Sequence, residues 1–315
     1  MTAPTTPTRT LTARTPEDLL ALVPVVLGFV PHDSVVMLTF GGAQQFHARV
    51  DLPGVATDLP EMVDALLRPA RLHGVRQVVF IVYCDSAPHA RRAARCLVQT
   101  FGSRGLEILE LLRADGGRWW PALGTRSGVP PWGVPYDLSS HRFSADAVLD
   151  GRVLHRSREE LRATLTTDPV LTAPVVAALA RGAGGGDGPP DPDWAAALVE
   201  QHSRDGTVPG TDDLARLLGG MLDPEVRDAA CAGLGRGTAR DHLRLWTEVV
   251  RRCPGPLLAA PAALLALAAW QVGEGALAWC ALDRCTEADE DYPLAVLLAQ
   301  ALVEAVPPDA WEAEC

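Results

Sequence analysis

The chain has 315 residues, of which 48% are hydrophobic and 21% are charged, a composition that excludes an intrinsically disordered protein and favours two globular domains. All 28 of its basic side chains are arginines, set against 39 aspartates and glutamates, so the net charge is −11. This acidic balance disfavours a nucleic-acid partner, which requires a basic surface.

The N-terminal residues, "MTAPTTPTRTLTARTP", lack the charged start and apolar core of a signal peptide. The longest apolar run, Pro256–Trp270, falls short of the ~20 residues that span a bilayer, and Pro261 interrupts it. We therefore predict a cytoplasmic protein with no membrane partner, in which residues 1–14 form a disordered lead.

Residues 15–180 alternate between helix and strand patterns. Thr15 followed by Pro16 is a helix start, and two apolar runs around the turn "GGAQ" indicate an antiparallel hairpin. The strands are predicted at 34–40, 45–51, 76–83 and 106–112, and the intervening helices at 58–73 and 88–105. Because helical crossovers join parallel neighbours, the predicted fold class is α/β, a mixed and mostly parallel sheet with flanking helices. The Trp- and Pro-rich residues 113–143 are predicted to be an irregular segment that covers this domain.

The composition and the hydrophobic periodicity of the sequence change after residue 180. "RGAGGGDGPPDPD", residues 181–193, has the composition of a linker. Residues 194–315 show helical periodicity without strand signals, which predicts a C-terminal all-α domain of helical hairpins. The pattern of helix, glycine turn, helix, acidic turn and helix near the end is typical of a tetratricopeptide-like (TPR-like) unit, and a generic helical bundle fits it equally well.

Four blocks of the sequence occur together in one known family. They are "LLALVPVVLGFVPHDSVVMLTF", "ARVDLP", "GRWW" with its Pro-rich successor, and "AWQVGEGALAWCALDR". With them, residues 12–312 resemble the domain-of-unknown-function family numbered 4192. The resemblance implies an intracellular protein with an α/β front and a helical back, and it implies no activity. Family members often carry two cysteines after the tryptophans, whereas "GTRSGVPPWGVPYD" has none here, which disfavours a metal or redox role for that segment.

Several polar stretches are predicted to meet at one edge of the sheet. In a hairpin the start of the first strand lies beside the end of the second, and the later strands should end at the same edge. Ligands bind outside the carboxyl ends of strands in open α/β sheets. The predicted ligand-binding residues are therefore His32, Asp33, Ser34, Asp51, Asp85, Arg118, Trp119 and Trp120. Adjacent tryptophans in a strand point to opposite faces, so one is expected in the core and the other at the site. Alternatively, the Trp/Pro segment serves only as structural cover.

The aspartates at this edge allow two interpretations. Asp33, Asp51, Asp85 and Asp115 could hold Mg²⁺ and activate water for phosphoester cleavage. Aspartate is also favoured at turns because it bonds to nearby backbone, which needs no ligand. A nucleophilic Cys84 with His89 as its base is a weaker hypothesis, since cysteine catalysis needs a lowered thiol pKa and a base within reach.

The sequence contains no familiar catalytic, nucleotide-binding or zinc-binding motif. No cofactor is predicted, and Mg²⁺ enters only under the alternative interpretation. We expect a ligand-binding or adaptor protein, with a pocket at the sheet edge for a small molecule and a helical domain for a protein partner. The alternative is a divalent-metal-dependent phosphoesterase or nuclease that uses the four aspartates.

Overall fold

The computed structural model describes residues 12–42, 46–149, 151–182 and 191–310. The chain divides into two compact units, Met1–Ser157 and Arg158–Cys315. Most of the predicted disordered lead and of the predicted linker, together with the tip of the predicted hairpin, lies outside the described residues.

Within its described residues, the N-terminal unit combines a six-stranded sheet with four helices. Its strands are β1 (Ser34–Phe40), β2 (His47–Asp51), β3 (Gln77–Tyr83), β4 (Glu107–Ala114), β5 (Arg118–Pro121) and β6 (Val134–Pro135). Its helices are α1 (Pro16–Leu27), α2 (Leu59–Leu72), α3 (Ala87–Ser103) and α4 (Arg142–Leu149), with a single 3-10 turn at Ala56–Asp58. The segment predicted to be irregular thus contributes two short strands to the sheet.

The sheet is mixed, but the prediction that it is mostly parallel is wrong. The strand order is β2-β1-β3-β4-β5-β6, and only β3 and β4 are parallel neighbours. The reason is the position of β1, which lies between β2 and β3 and is antiparallel to both. The crossover through α2 still makes β2 and β3 run in the same direction, but across an intervening strand. At the other side, a Gly116–Gly117 turn returns the chain from β4 as the antiparallel β5.

Alternating side chains along the strands build two apolar layers. Val35 and Met37 of β1 pack with α2 and α3 on one face of the sheet. Val36 and Leu38, one residue further along, pack with α1 and α4 on the other face. The central strands are buried on both sides, which accounts for their nearly continuous apolar sequences.

The C-terminal unit is helical throughout its described residues. Its helices are α5 (Arg158–Ala163), α6 (Pro169–Ala180), α7 (Pro192–Asp205), α8 (Thr211–Gly220), α9 (Pro224–Cys231), α10 (Ala239–Arg252), α11 (Ala259–Gln271), α12 (Gly275–Thr286) and α13 (Pro293–Val303), with 3-10 turns at Gly255–Leu257 and Pro308–Ala310. Gly273, with a φ of 81°, connects α11 to α12, and these two helices pack together as the glycine turn predicts. Whether the arrangement is TPR-like remains a prediction.

The boundary between the units precedes the segment that the sequence predicts as a linker. The helix α6 packs against α8 and α10, and the amide of Asp168 donates to the carbonyl of Arg251. These contacts place residues from Arg158 onward with the C-terminal unit. Across the described ranges, none of the helices has both the length and the apolarity needed to cross a membrane.

Candidate functional site at the polar edge of the sheet

The register of the sheet brings the start of β1 and the ends of β2, β3 and β4 into one row. Ser34 pairs with both Asp51 and Tyr83, and Tyr83 pairs with Ala114. Residues 31–34, 51–53, 84–86 and 113–118 therefore lie along one edge, which we call the polar edge. This convergence depends only on strand direction, which explains why the predicted neighbours meet although the predicted strand order was different.

The turn before β1 has a fixed conformation and exposes two ionisable side chains. Ser34 is buried, and its hydroxyl donates to the carbonyl of His32 over 2.5 Å. The amide of Leu52 donates to the carbonyl of Asp33 over 2.8 Å. Asp33 has a φ of 40°, in the left-handed region that favours glycine. Of the three predicted site residues in this turn, His32 and Asp33 are exposed and Ser34 serves the turn itself.

Arg113 lies at the centre of the polar edge, and it is not among the site residues predicted from the sequence. Its Nε donates to the carbonyl of Cys84 over 2.9 Å, and an Nη donates to that of Asp85 over 2.6 Å. The guanidinium also lies over the Trp120 ring, 4.3 Å from its centroid. Arg113 thereby fixes the backbone that follows β3. An arginine near the carboxyl end of a strand, beside the predicted edge, was the available signal.

The two tryptophans point to opposite faces, as predicted. Trp119 is buried in the core, and its Nε1 donates to Glu17 over 2.8 Å. Trp120 is half-buried, and its Nε1 donates to the carbonyl of Pro131 over 3.1 Å. Arg118 donates to the carbonyls of Trp132 and Gly133 over 3.3 and 3.2 Å. Trp120 and Arg118 thus hold the Pro-rich segment in place, a geometry that fits the structural-cover interpretation.

The four aspartates at the polar edge differ in their surroundings. Asp51 is paired with Arg49 at 2.6 Å, and the Asp115 carboxylate accepts the amides of Gly117 and Arg118 over 3.4 and 3.0 Å. Both therefore act as strand-end or turn residues. Asp33 and Asp85 are exposed. Within the part of the chain that the structure describes, no three histidine, cysteine, aspartate or glutamate side chains group in a way that could hold a metal ion.

Cys84 and His89 do not have the geometry of a nucleophile and its base. Burial raises the pKa of the Cys84 thiol, and the charge of Asp33 adds to this, while backbone hydrogen bonding at Ser86 and the charge of Arg113 oppose it only in part. The thiol Sγ donates to the carbonyl of Ser86 over 3.4 Å. The Nε2 of His89 is hydrogen-bonded to the carbonyl of Pro53 over 2.8 Å. A raised thiol pKa is the opposite of the activation that cysteine catalysis needs.

A tyrosine that sequence reasoning did not single out adjoins Asp115. Burial raises the pKa of Tyr136 to about 12, and the negative charge of Asp115 adds to this. The amide of Tyr136 donates to the carbonyl of Gly117 over 3.0 Å, which ties the cover segment to the turn after β4. The phenol therefore stays protonated at neutral pH beside that carboxylate.

One family model matches residues 16–309, and the family is described as a domain of unknown function, DUF4192. The chain belongs to the DUF4192 family. The match includes the whole polar edge and nearly all of both units of this DUF4192 protein. No curated protein and no solved structure matches the chain.

Proposed function

We propose that this DUF4192 protein binds a small polar molecule at the polar edge of its sheet and uses its helical unit to engage a protein partner. The ligand contacts would come from His32, Asp33 and Asp85, whose side chains are exposed at the edge. Arg113 and Trp120 would support them by fixing the backbone on either side.

The main observation in support of this proposal is the backbone conformation of Asp33. A non-glycine residue at positive φ costs of the order of 1–3 kcal/mol, and such residues cluster at binding and catalytic sites. Asp33 has this conformation at an exposed turn beside the central strand β1. A glycine would adopt this φ with less strain, and the Asp33 carboxylate is exposed, which supports a role for it in binding.

The chemistry of the exposed groups indicates the kind of ligand. Ionised carboxylates only accept hydrogen bonds, so Asp33 and Asp85 suit a molecule with amine or hydroxyl donors. Asp51 and Asp115 are already engaged by Arg49 and by backbone amides. This arrangement supports a binding protein over the four-aspartate phosphoesterase.

The ligand proposal can be tested by calorimetry and thermal shift with spermidine, glucosamine and MgCl₂ as fixed probes. A ligand at 100 times its Kd stabilises the folded state by about 2.7 kcal/mol, which a melting curve detects. We expect an amine or amino sugar to bind, and Asp33→Asn and Asp85→Asn each to weaken binding at least tenfold.

Asp64→Asn is the matched control, because Asp64 is an exposed carboxylate on α2 away from the polar edge. Equal affinity in all three variants would show that the polar edge is not the site. A shift with MgCl₂ alone that Asp33→Asn abolishes would instead favour the metal-dependent alternative.

The partner-binding part of the proposal is supported by exposed apolar side chains on α13. Val296, Leu297 and Val303 are 54%, 50% and 47% exposed, and clustered exposed apolar side chains often mark a protein–protein contact. In cross-linking of the whole protein in host extract, Val296→Arg with Leu297→Arg should remove a reproducible partner. Val170→Arg, at an exposed valine of α6, should leave that partner in place.

A further inference from the structure

Charge is divided very unevenly between the two units. Residues 1–157 contain 16 arginines and 14 acidic residues, a net charge of +2. Residues 158–315 contain 12 arginines and 25 acidic residues, a net charge of −13. The acidic balance of the whole chain therefore describes the C-terminal unit and conceals a different N-terminal one.

Seven exposed arginines on or beside α2 and α3 form no ion pair with any carboxylate among the described residues. They are Arg68 and Arg71 on α2, Arg76 before β3, Arg91, Arg92 and Arg95 on α3, and Arg104 after α3. Among the described residues, none of their guanidinium groups forms an ion pair. In the C-terminal unit, by contrast, ten of the 12 arginines pair with carboxylates. We call the seven residues the arginine face.

The fold places the arginine face on one side of the sheet. The helices α2 and α3 contact each other and bury their apolar sides against the same layer of β1 and β3. Five of the arginines lie on the opposite, solvent-facing sides of the two helices, and Arg76 and Arg104 are exposed in the segments that follow α2 and α3. At a rise of 1.5 Å per residue, Arg91 and Arg104 are about 20 Å apart along α3.

We infer that the arginine face binds the phosphodiester backbone of nucleic acid without sequence preference. Guanidinium groups match phosphate oxygens in charge and geometry, and each phosphate contact releases condensed counterions, which drives binding. The arginine face consists of arginines alone. It can therefore contact phosphates, but it lacks the mixed donor and acceptor side chains that recognise particular bases.

Other anionic partners fit the arginine face less well. Exposed arginine–carboxylate pairs contribute only about 0–1 kcal/mol each, so an acidic protein surface would gain little. A planar membrane would also bring its anionic headgroups against Glu61 and Asp64, which are exposed on the same helix as Arg68.

The net charge of −11 does not preclude this contact. The composition disfavours a nucleic-acid partner only because it averages the charge over two units whose net charges have opposite signs. A bound nucleic-acid strand would experience the electrostatic field at the arginine face rather than the average charge of the chain.

The test is fluorescence anisotropy of the full-length protein with a labelled 20-base-pair DNA duplex of random sequence, and with an RNA duplex of the same sequence. We expect binding at 50 mM NaCl that weakens steeply by 200 mM. Arg91→Ala with Arg95→Ala should weaken it and lower the slope of log K against log salt by about 2, since each phosphate contact contributes about 0.9.

Arg240→Ala with Arg244→Ala is the matched control, because it removes two exposed arginines at the same spacing from α10 of the C-terminal unit. This variant should bind both duplexes as the parent protein does. Absence of binding at 50 mM NaCl, or equal loss in both double variants, would overturn the inference. So would binding to phosphatidylserine vesicles through the same arginines without binding to either duplex.

Discussion

At residue 33, an aspartate occupies a backbone conformation that normally selects glycine. Its φ is 40°, and its carbonyl accepts the amide of Leu52, so the turn depends on its backbone. The carboxylate is exposed, so it does not contribute to holding the turn. Stability and ligand binding should therefore respond differently to changes at this residue.

Replacing Asp33 by glycine should raise the free energy of unfolding by about 0.5 kcal/mol. Relief of left-handed strain, ~1 kcal/mol, is partly offset by the greater flexibility of glycine in the unfolded chain. Asp33→Ala should be about 1 kcal/mol less stable than Asp33→Gly, because its Cβ restores the strain. Urea denaturation measures both, and equal stability of the two variants would contradict a strained turn.

Gly133 is required by the Trp120 ring as well as by its own φ of 79°. A Cβ at residue 133 would lie 2.4 Å from an atom of that ring. Gly133→Ala should therefore cost about 3 kcal/mol, the sum of backbone strain and overpacking. Gly128 has a φ of 81° with open space around it, so Gly128→Ala should cost only about 1 kcal/mol. Similar losses for the two variants would argue against tight seating of Trp120.

His47 should make the protein less stable in mild acid. Burial lowers the pKa of this histidine to about 4, and its Nδ1 is buried without a partner. The unfolded chain takes up the proton near pH 6.5, so it binds more protons than the folded state between pH 6.5 and 4. Stability contributed by the neutral ring is therefore present above pH 6.5 and lost on acidification.

Unfolding free energies at pH 7 and pH 4 test this effect of His47. The parent protein should lose about 3 kcal/mol more over that interval than His47→Phe, which fills the space but cannot titrate. A pH dependence that His47→Phe leaves unchanged would show that another group is responsible.

Among the elements, the first turn of α1 is hydrogen-bonded to residues more than 100 positions away in the chain. Asp18 accepts the amides of Arg14 and Thr15 over 2.8 and 3.1 Å, completing a capping box with Thr15, and it also binds Nε2 of His141 over 3.2 Å. Although burial acts to raise the pKa of Asp18, these hydrogen bonds outweigh it, and the pKa is lowered. One carboxylate thus fixes the start of α1 and the approach to α4.

Asp18→Ala should cost about 2 kcal/mol, because it breaks the cap and the contact with His141 together. Asp223→Ala removes the cap of α9, a single hydrogen bond to the amide of Glu225, and should cost about 1 kcal/mol. Denaturant unfolding followed by circular dichroism compares them. Equal losses would mean that the His141 contact contributes nothing.

At the scale of the whole molecule, the N-terminal unit contains complete cores on both faces of its sheet. Phe143 of α4 is buried in one of them, and the amide of His155 donates to the carbonyl of Gly28 over 2.8 Å. Residues 12–157 should therefore fold when expressed alone, with sheet circular dichroism and a buried Trp119. The fragment 12–140, which lacks α4 and His155, should melt at a lower temperature. Failure of the longer fragment to fold would show that its cores are insufficient.

The sequence by itself determined which residues form the main helices and the first four strands, and the direction in which those four strands run. Periodicity and caps such as Thr15 are local signals, since they depend on neighbours within one or two turns. Strand direction alone was enough to bring Asp33, Asp51 and Asp85 to one edge.

Only the tertiary structure decided the strand order, the role of each edge residue and the pairing of charges. The insertion of β1 between β2 and β3 is a long-range choice that no local pattern encodes. Arg113 lies over Trp120, and the seven residues of the arginine face form no ion pair among the described residues, because of distances between residues far apart in the chain. The amino-acid composition contains no information on these distances, so it did not reveal a basic face in an acidic protein.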